Sequence, residues 1–115
     1  IISNTTENNR GNLQNILKHQ KGGLSGKPLE EKANQLIAKF FNLLKGKIEI
    51  IGVGGVDSGK SAYEKFLAGA NYVQLYTGMV FQGPNIVGKI KKELKEILKS
   101  EGVTNYREIV GKKHN

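Results

Sequence analysis

The sequence contains no cysteine. That excludes disulfide staples and thiolate–zinc sites, and it leaves the compartment open, because a chain without thiols tolerates either redox state. No run of 18 apolar residues occurs, so no segment reads as a membrane-spanning helix. The first residues lack the basic-then-apolar pattern of a secretory leader. Histidine is scarce too. His19 and His114 are isolated, with no acidic or histidine partner at metal-ligand spacing, and both read as surface residues.

What is present is a basic chain of 115 residues, 37% of them apolar, with a net charge of +8. The length suggests one domain, residues 1–115. Such a charge can attract nucleic acid, acidic lipid or phosphorylated ligands. The densest lysine group is Lys89, Lys91, Lys92, Lys95 and Lys99, with Glu93 and Glu96 between them. At helical spacing, without interleaved aromatics, this reads first as a solvated face and not as a nucleic-acid track, with a membrane-surface patch as the sharper alternative.

The pattern along the chain is β, long loop, α, β, α, β, α. Residues 1–5 read as the end of a buried strand, which needs neighbouring strands for its backbone groups. The chain is therefore expected to be a fragment, or one chain of a cut protein. Residues 6–27 read as a long polar loop, a length that usually signals function or disorder. Pro28 opens a helix carrying Ala33, Leu36, Ile37, Phe40, Phe41 and Leu44, which Gly46 ends. Residues 48–53 form a β-branched strand, residues 61–67 a short helix with Ala62, Phe66 and Leu67 inward, and residues 72–76 a second strand. A connector over 77–83 leads to a long helix with Ile86, Val87, Ile90, Leu94, Ile97 and Leu98 as its apolar stripe. Tyr106, Ile109 and Val110 mark one more short helix. Alternating strands and helices imply βα units on a parallel sheet.

Gly54-Gly55-Val56-Asp57-Ser58-Gly59-Lys60-Ser61 matches the P-loop pattern between a strand and a helix. In that reading Lys60 reaches the terminal phosphates and Ser61 holds magnesium. No strand supplies the acidic residue that magnesium needs, and the following helix is short. The competing reading is a barrel rim, where phosphate sits between the loops after the last two strands. Gly54 and Gly55 then bring backbone amides to the phosphate, in space that a side chain would fill, with Tyr76-Thr77-Gly78 opposite, and Lys60 and Ser61 lie on the outer helix as surface residues. A non-catalytic phosphate-binding half-barrel is a third reading.

The strings Asn4-Thr5-Thr6, Gly22-Gly23-Leu24-Ser25-Gly26-Lys27-Pro28-Leu29, Ile50-Ile51-Gly52-Val53-Gly54-Gly55-Val56, Gly69-Ala70 and Val73-Gln74-Leu75-Tyr76-Thr77 together resemble the class 2, quinone-dependent dihydroorotate dehydrogenases. The resemblance covers essentially the whole chain, with residues 7–21 the least similar part. It implies an α/β fold: the C-terminal part, about the last three βα units, of a TIM (β/α)8 barrel. It implies flavin mononucleotide (FMN) at the rim, dihydroorotate oxidised to orotate on one side of the flavin, and a membrane quinone as the final acceptor, in pyrimidine biosynthesis. By matching position, Ser3, Gly26, Gly55, Tyr76 and Thr77 are the expected cofactor-binding residues, Ser3 standing where the family carries Thr. Asn4 and Thr5 are the expected substrate-binding residues. Met79, Val80 and Pro84 fall near the family's quinone tunnel. The family's catalytic serine, a flavin-contacting lysine and the N-terminal helical pair that meets the membrane are expected before Ile1, so no catalytic base falls within this chain. The implied location is the mitochondrial inner membrane in a eukaryote or the cytoplasmic membrane in a bacterium, as a peripheral protein.

Overall fold

The computed structural model describes residues 1–2 and 26–114. Helix α1 spans Glu30–Leu44, after a 3-10 turn over Lys27–Leu29. Pro28 lies in that turn, where a missing N–H costs nothing, and Glu30 and Glu31 meet the positive helix end. Ala33 and Ile37, four residues apart, are buried. Phe40, expected in the core, is 43% exposed because it falls off that stripe. Lys45 takes the left-handed cap at φ 52, with Gly46 at φ 76 behind it, so the stop begins one residue before the expected glycine.

Strand β1 is Ile51–Val53 and strand β2 is Tyr72–Gln74, both shorter than the sequence pattern suggested. They pair in parallel with Gly52 opposite Val73. The front of the first run is not ladder: Ile48 is 61% exposed. Ile50 is buried, its N–H donating to Asn71 Oδ1 and its carbonyl accepting from Asn71 N. Ile2 joins the other edge of β1 by a parallel bridge to Gly52. Its N–H donates to the Ile51 carbonyl at 2.8 Å and its carbonyl accepts from Val53 N at 2.6 Å. Spatial order therefore follows chain order, with β1 in the middle.

Helices cover this sheet. A Cβ on Gly52 would lie 2.9 Å from Ile37 Cδ1 and 3.1 Å from Ala70 Cβ, so glycine lets α1 settle onto β1. Helix α2, Gly59–Ala68, packs against α4, Ile86–Ser100. A Cβ on Gly59 would reach Leu94 N at 2.6 Å, and its N–H donates to Glu93 Oε2 at 3.0 Å. Val56, Ala62, Phe66, Ile86, Ile90, Leu98 and Ile109 form the main core. Val87, placed in the stripe of α4 by spacing, stays 36% exposed. The connector is a real helix, α3, Thr77–Gln82.

The tail forms two 3-10 turns, Tyr106–Ile109 and Lys112–His114. Tyr106 packs its ring 4.9 Å from that of Phe66, and Gly111 N donates to the Phe66 carbonyl at 2.9 Å. Phe41 fills the space that side chains on Gly69 and Gly111 would occupy, and both glycines have positive φ.

A candidate phosphate-binding site

Both βα turns leave the same end of a parallel pair, so the segment after β1 and the start of α3 lie on one rim. They touch. A Cβ on Gly78 would sit 2.7 Å from the Val56 carbonyl oxygen. Gln82 Nε2 donates to the Asp57 carbonyl at 3.3 Å, which ties α3 to the same turn.

Gly26 joins them from the front of α1. Its φ is 78, and a Cβ there would lie 2.9 Å from Thr77 Cγ2. Next to it, Lys27 bridges two elements: Nζ reaches Glu30 Oε2 at 2.5 Å and Asp57 Oδ1 at 3.4 Å. Partial burial works against this ammonium, but bonding and charge attraction to Glu30 and Asp57 outweigh it and hold its pKa above the ordinary lysine value. Gly26, Gly55 and Thr77, far apart in sequence, therefore converge.

The glycines of the turn differ from the sequence reading in what they avoid. Gly54 and Gly55 have φ 123 and φ 76, a region where side chains are strained. Their missing Cβ atoms point at α1 and not toward an open rim. At Gly54 the neighbours are Ala33 Cβ at 3.0 Å and Leu29 Cδ2 at 3.2 Å. At Gly55 they are Glu30 Cβ at 2.5 Å and Glu30 Cα at 2.9 Å. The glycines let α1 seat its first turn on the loop. What faces away from α1 is backbone. Among the described residues, the N–H groups of Gly55 and Gly78 take no hydrogen-bond acceptor, although Gly55 is buried. Buried N–H groups are nearly always satisfied, so such donors suit an anionic oxygen.

Tyr76 is 80% exposed and stands at the N-cap of α3 with no side-chain cap bond, while Thr77 is half-buried. Met79, Val80 and Pro84 are exposed, Val80 at 64%. Ser3, Asn4 and Thr5, the loop over residues 7–21 and Gly22 to Ser25 lie outside the described residues. Ile2, which precedes Ser3, is held on β1.

The P-loop reading fails on Ser61. This residue is 1% exposed and its hydroxyl is fully employed within the chain. It accepts from Asp57 N at 2.9 Å and Ser58 N at 3.0 Å, and it donates to the Ser58 carbonyl at 2.9 Å. Ser58 Oγ in turn accepts from Ser61 N at 3.1 Å, so the serine that was to hold magnesium closes a capping box. Lys60 points to solvent. The expectation that Ser61 is a surface residue is also corrected. Lys60→Ala should change stability by no more than about 0.5 kcal/mol. Ser61→Ala strands two partly buried N–H groups and should cost about 1–3 kcal/mol. Thermal unfolding of the two variants side by side checks this, and equal melting temperatures would contradict the cap.

The sequence pattern missed one group. Lys65, on α2, is 0% exposed. Its Nζ donates to Asn34 Oδ1 of α1 at 2.7 Å, and its stem runs past Gly52. Burial lowers its pKa from 10.5 to about 8, with Glu30 pulling it back up and Lys27 pushing it further down. A lysine between Glu64 and Phe66 reads as solvent-facing. The one signal was its place three residues after Ala62, on the inward face.

Residues 1–98 match the family model described as dihydroorotate dehydrogenase. The mitochondrial dihydroorotate dehydrogenase (quinone) of Mus musculus is 46% identical over 114 residues, which are 99% of this chain and 29% of that protein. The dihydroorotate dehydrogenase (quinone) of Deinococcus radiodurans is 42% identical over 96% of this chain and 30% of its own length. A crystal structure of ligand-free DHODH from Eimeria tenella superposes with a TM-score of 0.96 at 35% identity, covering all of this chain and 32% of that one. The chain thus spans about a third of the length of the relatives it matches. The parallel βα units are a sector of a TIM barrel.

Proposed function

This chain belongs to the dihydroorotate dehydrogenase family, and from that membership we propose that it forms the phosphate side of the FMN site in a quinone-dependent dihydroorotate dehydrogenase. The observation that carries the reading is the meeting of Gly26, the Gly54–Gly55 turn and the Thr77–Gly78 turn, with unpaired N–H groups at Gly55 and Gly78. Backbone donors at a glycine turn suit a phosphate, and FMN carries one. Gly26, Gly55, Tyr76 and Thr77 hold the cofactor together with Ser3, and Asn4 and Thr5 read the orotate ring. When bound, the flavin supplies the hydride acceptor that turns dihydroorotate into orotate and hands the electrons to a quinone. This chain's own part is to grip and orient, and the catalytic base belongs to the remaining, N-terminal part of the same barrel.

No helix among the described residues is long and apolar enough to cross a membrane. In this proposal quinone access runs through peripheral contact of that N-terminal part, at the mitochondrial inner membrane or the bacterial cytoplasmic membrane. Exposed Val80 and Phe81 on α3, at 64% and 82%, suit an apolar partner on the quinone side.

The test is made on the whole protein. It should purify yellow with stoichiometric FMN, oxidise dihydroorotate and reduce a quinone analogue. Asn4→Ala removes a donor and an acceptor from a polar planar ligand, an effect of about 1–3 kcal/mol. That corresponds to a roughly 5- to 150-fold fall in kcat/KM for dihydroorotate, with flavin content unchanged. Unchanged turnover would remove Asn4 from the substrate site. A colourless wild-type protein would remove the function itself.

A further inference from the structure

Lys65 is an expensive residue to bury. An ammonium withdrawn from water loses its hydration, and among the described residues it has one hydrogen-bond acceptor, Asn34 Oδ1. Its stem closes around Gly52 together with the side chains of Ile37 and Ala70, and a methionine would fill the stem's space without the charge. Packing therefore accounts for the stem and leaves the ammonium unexplained.

Its position offers an account. Asn34 is one helical turn beyond Glu30, the residue whose backbone closes on Gly55. Lys65 thus ties α2 to α1 one turn beyond the residues that press on Gly54 and Gly55. Resting on the reading above, we propose that Lys65 is a positioning residue for the phosphate grip: through Asn34 it holds α1 against the Gly54–Gly55 turn, and its buried charge favours an anionic phosphate bound at that turn.

The charged groups that reach Lys65 are Glu30, opening α1, and Lys27, in the turn before it. Strand β1 faces it with Gly52, which carries no charge. On its own helix Glu64 is engaged by Lys113 at 3.8 Å. With a pKa of about 8, Lys65 is mostly protonated at neutral pH and loses its charge above pH 8. The favourable charge is therefore present below that point and lost as pH rises through it.

The experiment titrates the flavin-free whole protein with FMN between pH 7 and 9.5, following flavin fluorescence. In the wild type the dissociation constant should rise about tenfold across this range, the order expected of one charge acting through protein and not through water. Lys65→Met should bind about tenfold more weakly at pH 7 and show no such rise. Asn34→Asp places a carboxylate beside the ammonium and should move the wild-type midpoint to higher pH. That variant keeps the test available if Lys65→Met does not fold. A Lys65→Met protein with wild-type affinity and profile, or an unmoved midpoint in Asn34→Asp, overturns this inference and leaves the function standing. A wild-type protein that takes up no FMN overturns both.

Discussion

Gly55→Val is expected to yield a protein without flavin and with a markedly lower melting temperature. Gly55 has φ 76, and a β-branched residue held there carries about 1–3 kcal/mol of backbone strain. The new Cβ would also sit 2.5 Å from Glu30 Cβ and 2.9 Å from Glu30 Cα. The second neighbour is backbone, so no rotamer change relieves the clash, and α1 or the turn must move. Together these effects place the variant among the rare substitutions costing more than about 4 kcal/mol. The flavin-to-protein absorbance ratio and a thermal scan measure the two consequences. Near-normal values of both would mean that the turn is not the phosphate grip and that α1 does not rest on it. The loss is expected by displacement of the backbone donors, whereas the sequence pattern suggested a side chain filling the phosphate's own space.

The second large effect concerns stability against pH. Folding lowers the pKa of Lys65 from 10.5 to about 8. Between these values the unfolded chain binds the proton and the folded chain does not, so stability rises with pH across that window. The shift corresponds to about 3 kcal/mol of penalty that burial imposes on the charged form and that is relieved by pH 10.5. Lys65→Met escapes the penalty but leaves Asn34 Oδ1 without its donor, a loss of about 1–3 kcal/mol. The two proteins should be close in stability at pH 7. Wild type should pull ahead by up to about 3 kcal/mol as pH approaches 10.5. Denaturant unfolding of the whole protein at pH 7, 8.5 and 10 gives the difference directly, and parallel curves would show that Lys65 is solvated.

Much of the architecture was legible because its signals are local. The spacing of Ala33 and Ile37, the glycine stops and the β-branched run before Gly54 each report on their own segment. The motifs marked the candidate site as well, and the segments of Gly26, Gly55 and Thr77 do come together. What stayed hidden depends on partners distant in the chain. Ser61 looks like a P-loop serine until Asp57 N and Ser58 N are seen to occupy its hydroxyl. Lys65 looks like any helical lysine until α1 brings Asn34 over it, 31 residues away. The direction of the missing Cβ on Gly55 cannot be read from the letter G, because it is set by where α1 lands. Strand ends misled for a similar reason: Ile48 has the composition of a strand residue but no neighbour to pair with among the described residues.

The bridge from Ile2 to Gly52 has a consequence for how barrels of this kind can be taken apart and recombined. With Ile2, β1 and β2 side by side in chain order, the segment is a contiguous wedge, and no strand from elsewhere is threaded between its members. Exchanging the wedge between two family members would create new contacts along its radial seams and leave the Gly26, Gly55 and Thr77 cluster inherited from one parent. The proposed phosphate grip should travel with the wedge as a unit, while substrate and quinone preferences would report on how well the seams of the two parents match.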